Sequence, residues 1–458
     1  MLGPIKQLRK LWMVIFIGII YVGCAPVDFA VDMGSDGCDA FGGPGTCRYE
    51  NGRLVGKPRA FTMNGGKIDI VFVNDNSGSM SFYQKKLGAR LKSFIDHLNK
   101  VKSDFQVGIV TTDISTGIDA SFQNNDPRAI NGNGAFQDGK LIAFPNGKSF
   151  FSVSDFNTSD FIAGSIPGID LFKRTIERDE TQKCDVFLKT GTNKELEWES
   201  PLYRENCPSG DERGLYAASL VLKNNPSGII RDESNKVVFI ILGNEDVRSS
   251  AYSRTKFAAE ANFRLKPEDM PTSLVDVFRQ KYPRKSLKVN TISILPGPLK
   301  KGIGPLDASN RIYESFRFGG TMNAANSPDQ LFEEGDSKCL NPTSGAEAEQ
   351  AGFARTYSYL YSLAARITGG VETSLCQEDY GRKLEEIAEN AVRNEFFVCN
   401  DLQIDRAWIG NIGASESQMG AGENKSVNVT AENGYAKFPN DLPPGTAVNL
   451  DFTCAVNK

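Results

Sequence analysis

The residues of this chain whose types and spacing can do chemistry lie at 75–79, Asp75-Asn76-Ser77-Gly78-Ser79. One carboxylate and two hydroxyls at alternate positions of a tight turn can present three oxygens to one point. Hard divalent cations take oxygen ligands at short range, so the stretch reads as part of a cation site and not as hydrolytic machinery. The elements that must position it follow from its flanks. Residues 68–73, IDIVFV, are almost continuously apolar, the pattern of a strand buried on both faces. Residues 81–101 carry Leu87, Leu91, Phe94, Ile95 and Leu98 along one helical face. The turn therefore sits at the carboxyl end of a buried strand, just ahead of a helix.

The same alternation continues along the chain. Strand patterns occur at 105–111, 237–242 and 287–295, and helical patterns at 212–222, 271–282 (opened by Pro271), 353–367 and 380–392. Strands alternating with helices predict an α/β fold with a doubly wound, mostly parallel sheet. Two long segments interrupt it, at about 114–211 and 298–350. Loops of that length are functional elaborations or disordered, and the cysteines they carry favour order. From residue 396 the period changes to two, with Leu402 and Ile404, Val427 and Val429, then Val448, Leu450 and Phe452, which predicts a small C-terminal β domain over 396–458. In an open α/β sheet ligands bind beyond the carboxyl ends of the strands, where residues 75–79 fall.

The chain has 458 residues, 24% of them charged, with a formal net charge of -4. A mildly acidic balance gives no electrostatic footprint for nucleic acid. Residues 1–23 read as a targeting segment: Lys6, Arg9 and Lys10, then the apolar run 11–20, too short for a comfortable membrane span. Gly23-Cys24 resembles a bacterial lipoprotein cleavage site, which implies lipid on Cys24, although Tyr21 replaces the usual Leu. Ala25 is not the Asp associated with inner-membrane retention, so the resemblance implies an exported protein held at the outer membrane. Residues 24–66, rich in Gly, Asp and Pro, read as a tether. Eight further cysteines, an even number, fit an oxidising compartment. Joining sequence neighbours gives Cys38–Cys47, Cys184–Cys207, Cys339–Cys376 and Cys399–Cys454.

The run DIVFVNDNSGSM resembles the first-strand signature of von Willebrand factor A domains with a metal-ion-dependent adhesion site. The resemblance spans residues 67–395 with both insertions counted. It implies Mg²⁺ or Mn²⁺, with Ca²⁺ as a third candidate, bound by Asp75, Ser77 and Ser79. It also implies a Thr from a second loop and an Asp from a third. The chain departs at both. After VVFIIL come Gly243, Asn244, Glu245 and Asp246, so a neutral amide stands where the family has the Asp. The loop before the helix at 212–222 has no Thr; Ser209, Asp211 and Glu212 carry the candidate oxygens, and Thr112 and Asp113 end the second strand on the same rim.

The resemblance implies metal-dependent adhesion: an ion with a vacant position takes an Asp or Glu carboxylate of a partner protein. The main alternative is a metal-free scaffolding lipoprotein in which Asp75 and the serines only cap the next helix. Catalysis is not expected. His97 is the sole histidine, on a helix flank away from the strand ends, and no phosphate-binding loop occurs. Trp408 and Tyr435 offer possible glycan platforms, though packing is the commoner use of such aromatics.

Overall fold

The computed structural model describes residues 47–50, 53–56, 59–63, 67–100, 103–114, 137–157, 167–191, 201–208, 212–247, 266–282, 285–298, 300, 333, 335–336, 357–377, 379–393, 395–397, 402–409, 425–432, 435–439, 442 and 446–455. The expected targeting segment lies outside these residues. Among them, no helix is long and apolar enough to cross a membrane.

Strands are numbered in chain order. β1 (Cys47–Glu50), β2 (Arg53–Gly56) and β3 (Arg59–Met63) precede the first apolar run, which forms β4 (Ile68–Asn74). β5 (Phe105–Thr111), β6 (Phe151–Ser152), β7 (Lys236–Gly243), β8 (Ser286–Ser293) and β9 (Glu372–Ser374) join β4 in one sheet of order β6-β5-β4-β7-β8-β9. All pairs are parallel except β5 with the short edge strand β6. Every residue of β4, β7 and β8 is buried, as strands covered on both faces must be.

Within this sheet the order is third, second, first, fourth, fifth, sixth, a doubly wound arrangement whose switch point falls between β4 and β7. The chain leaves β4 toward β5 and leaves β7 in the opposite direction toward β8. Right-handed crossovers therefore send the two sets of helices to opposite faces. Helices Ser81–Gly88 and Leu91–Lys100 pack with Gly168–Ile176, and Leu91–Lys100 also packs with Gly381–Val392. Helix Pro271–Lys281 packs with Gly214–Asn224 and Tyr359–Thr368.

Three features differ from the sequence-based expectations. The helix expected over 81–101 is two helices that meet at Ala89–Arg90. A Cβ on Gly88 would lie 2.6 Å from Glu177 Oε1, so glycine there permits close packing while weakening the helix. Among the described residues of the insertion at 114–211 are the helices Val153–Asn157, Gly168–Ile176, Asp179–Thr190 and Pro201–Asn206. Part of the expected tether is folded: β2 and β3 pair with the final strand, β15 (Thr446–Ala455). Before β15 come β10 (Glu395–Phe397), β11 (Gln403–Ile409), β12 (Lys425–Ser426), β13 (Thr430–Glu432) and β14 (Tyr435–Lys437). The C-terminal β unit thus includes N-terminal strands. Its core holds Leu402, Phe438, Val448, Leu450 and Phe452, the alternating residues of the period-two pattern among them.

Candidate metal centre

The turn after β4 is tied to the neighbouring strand by its first residue, whose backbone N–H donates to Leu242 O (3.0 Å) at the end of β7. The Asp75 side chain is fully buried. Its Oδ1 accepts from Ser77 N (2.8 Å), while Oδ2 is buried without a hydrogen-bond partner. Ser77 Oγ and Ser79 Oγ lie 3.0 Å apart. Ser77 precedes the 3₁₀ turn Gly78–Met80 yet makes no side-chain capping bond. The two hydroxyls thus face each other, which a simple helix-capping role for Ser77 does not explain.

The loop after β7 brings in Asn244, buried, whose Oδ1 accepts from Ser79 Oγ at 3.4 Å; its Nδ2 has no partner. Glu245 is also buried, and its backbone carbonyl accepts from Ser358 Oγ (3.2 Å). Asp246 turns elsewhere: its Oδ1 accepts from Leu360 N (3.0 Å) and Val247 N (2.9 Å). It sits at the amino end of helix Tyr359–Thr368, where an acid is favourable.

From the remaining edge, Thr112 and Asp113 are buried at the end of β5. Thr112 O accepts from Arg213 N (3.1 Å), Asp113 forms an isolated antiparallel bridge with Glu212, and Asp113 Oδ2 accepts from Asn76 Nδ2 (2.7 Å). The bridge brings the Glu212 carboxyl against Asp75 and Ser77, and its Oε2 is buried without a hydrogen-bond partner. Ser209 and Asp211 lie outside the described residues.

The site therefore gathers negative charge in a buried place. Burial, offset in part by the Ser77 amide, raises the Asp75 carboxyl above its usual range. Burial, then the charges of Asp75 and Glu245, pushes Glu212 well above its own. Burial, then the charges of Glu212, Asp246 and Asp75, pushes the Tyr361 phenol up as well. The nearby arginines are engaged elsewhere: Arg213 with Asp269 (2.7 Å) and Glu268 (3.2 Å), Arg178 with Glu180 (2.6 Å). Buried charge is costly unless paired, so a cation fits this place better than any basic side chain the fold supplies. The donors are carboxylate, hydroxyl and amide oxygens, the set that suits Mg²⁺, Mn²⁺ or Ca²⁺. Among the described residues, no group of three or more His, Cys, Asp or Glu is arranged to hold a metal, so the hydroxyl and amide oxygens are essential to this fit.

The insertion helix Asp179–Thr190 is fastened to the turn. Thr181 Oγ1 donates to Asn76 O (2.7 Å) and accepts from Gln84 Nε2 (3.2 Å), Gln84 Nε2 donates to Asp75 O (2.8 Å), and Ser81 Oγ donates to Gln182 Oε1 (3.0 Å). A Cβ on Gly78 would lie 2.7 Å from both Cys184 Sγ and Leu188 Cδ1. Cys184 is bonded to Cys207, the neighbour pairing expected from the sequence. Cys376 and Cys454 are disulfide-bonded as well. Cys47 lies in β1, and Cys24, Cys38, Cys339 and Cys399 fall outside the described residues.

Sequence reading missed Thr181, Gln84 and Tyr361, whose hydroxyl accepts from Gly214 N (3.2 Å) and supports the loop that carries Glu212. No local pattern marks them: Thr181 and Tyr361 act on residues far away in the chain, and Gln84 joins Asp75 to the equally distant Thr181. His97 is half-buried on helix Leu91–Lys100. Trp408 is 4% exposed, which leaves it no face for stacking on a sugar, and the Tyr435 side chain is not among those described.

No protein-family model matches the chain, and the comparison with curated proteins finds no match either. Among solved structures, the pilus adhesin SpaC from Lactobacillus rhamnosus GG is similar at 11% identity and a TM-score of 0.29, covering 89% of this chain and 42% of that one. Its open conformation gives 12% identity and a TM-score of 0.25, covering 89% and 41%. The chain spans less than half the length of these adhesins. Likeness at this level carries no argument about the site, so function has to be argued from the residues themselves.

Proposed function

We propose that this protein is a metal-dependent protein-binding module of the adhesion type, with a divalent cation at Asp75, Ser77, Ser79 and Asn244 that takes a carboxylate from a partner protein. Mg²⁺ and Mn²⁺ are the expected ions, with Ca²⁺ the third candidate; Glu245 and Asp246 follow Asn244 in the same loop. The observation that carries the reading is the buried, unpartnered Oδ2 of Asp75 beside two serine hydroxyls 3.0 Å apart, at the carboxyl end of β4. When bound, the ion supplies a directional, Lewis-acidic contact for an incoming acid. The chain's own residues do the rest. Asp75 holds the negative charge, the Ser77 amide fixes that carboxylate, and half-exposed Ser77 marks the side open to a partner. Helix Asp179–Thr190 of the insertion, fastened to the turn by Thr181, adjoins the site, and the insertion helps to choose the partner. Export, lipid on Cys24 and placement at the outer membrane belong to the same proposal and rest on residues 1–25.

A second reading, a metal-free scaffold of the cell envelope, draws on the burial of Asp75 (0%), Asn244 (0%) and Ser79 (5%). Water-proton relaxation of Mn²⁺ added to the full chain separates the two. The adhesion reading predicts enhanced relaxivity on binding, and a fall when acetate or an Asp-containing peptide displaces water from the ion. No Mn²⁺ binding supports the scaffold. Binding that ignores carboxylates sinks the recruitment of a partner acid.

A further inference from the structure

We propose that Glu212 is a second anionic ligand of this cation, so that Asp75 and Glu212 together neutralise a divalent ion and Asn244 adds only a neutral oxygen. The inference rests on the metal-dependent reading above and names the residue that completes it. The backbone around Glu212 is fixed from both sides. It bridges to Asp113, the following amide donates to Thr112 O, and the Arg213 side chain is locked to fully buried Asp269. The carboxyl this delivers is 1% exposed and lies against Asp75 and Ser77. Two oxygens at this spot, Asp75 Oδ2 and Glu212 Oε2, are buried with no hydrogen-bond partner. They come from different loops, and among the described residues neither acid forms an ion pair. Two buried carboxyls in contact cannot both carry charge without a counter-ion, and the pair is held toward its protonated form; a cation between them supplies that counter-charge. Asn244 Oδ1 is already engaged by Ser79, and being neutral it cannot supply the second charge. The balance of charge is thus restored from the loop before helix Gly214–Asn224, and not from the loop after β7.

The test uses the full chain with Mn²⁺, and Tb³⁺ as a trivalent probe. Glu212→Gln keeps the size and one oxygen of the side chain but removes the charge. It is expected to weaken Mn²⁺ by at least about tenfold, the scale on which ligand charge tunes such sites, and Tb³⁺ by more. The ion-free variant is expected to melt at or above the wild-type temperature, because a neutral amide replaces a buried carboxyl that is costly to keep beside a second acid. A structural role predicts the reverse, a lower melting temperature with any loss of affinity following from it, and that result overturns the proposal. So does wild-type Mn²⁺ affinity in Glu212→Gln when Asp75→Asn has lost it; the metal-dependent reading then survives without Glu212. If the wild type itself binds no Mn²⁺, both fall together.

Discussion

The disulfide at the edge of the site offers a prediction with a worked magnitude. Cys184 and Cys207 are separated by 23 positions, and the loop they close carries the helix that rests on the cation turn. Closing a loop of that length removes about 3 kcal/mol of chain entropy from the unfolded state. In a domain of this size, where each kcal/mol moves the melting temperature by about 2–4 °C, the variant Cys184→Ala/Cys207→Ala should melt roughly 6–12 °C lower. A second consequence is local. Thr181 holds Asn76 O, Gln182 holds Ser81, and Cys184 Sγ lies over Gly78, so freeing the helix loosens Asp75 and both serines together. Calorimetry and Mn²⁺ titration on the same sample read both effects. Unchanged melting refutes the loop-entropy argument. Lower melting with unchanged Mn²⁺ affinity refutes the claim that the insertion helix holds the site in shape.

Other predictions concern the far end of the sheet. Arg231 pairs with Asp69 (2.7 Å), which is fully buried in β4, and with Asp104 (2.8 Å). Arg231→Met leaves the Asp69 carboxylate buried without its partner and should cost about 3–5 kcal/mol in urea denaturation, whereas an unchanged midpoint would show the pair to be dispensable. Lys236 donates to the Arg393 carbonyl, and burial, followed by repulsion from Lys288, brings it down to about 7 from a usual 10.5. Between those values the folded state binds fewer protons than the unfolded one, so stability should rise with pH across the window, and the burial penalty is complete below about 7. Lys236→Met should therefore stabilise the protein by a few kcal/mol near neutrality, at roughly 1.4 kcal/mol per pH unit of the window, with the gain vanishing at its alkaline end. A pH-independent difference between the two proteins contradicts this.

The doubly wound sheet was legible because β4, β7 and β8 are covered on both faces and so read as apolar runs, while helices such as Leu91–Lys100 show Leu91, Phe94, Ile95 and Leu98 at helical spacing. The folding of β2 and β3 was not legible. Their partner, β15, lies at the opposite end of the chain, and short strands in glycine-rich surroundings carry little periodicity of their own. At the site, strand-end position was enough to bring Asn244 near Ser79. It could not separate Asp246, which serves a helix terminus created by residues more than a hundred positions later. Nor could spacing choose among Ser209, Asp211 and Glu212. The bridge to Asp113, a long-range backbone contact, is what carries Glu212 to Asp75.

Calorimetric titration of the full chain with Mg²⁺ and Mn²⁺, beside the Asp75→Ala variant, reads cation binding at the turn after β4 itself. A single saturable binding event is expected in the wild type and its loss in the variant, with the circular dichroism of both proteins alike. No binding by the wild type, or equal affinity in the two proteins, contradicts it.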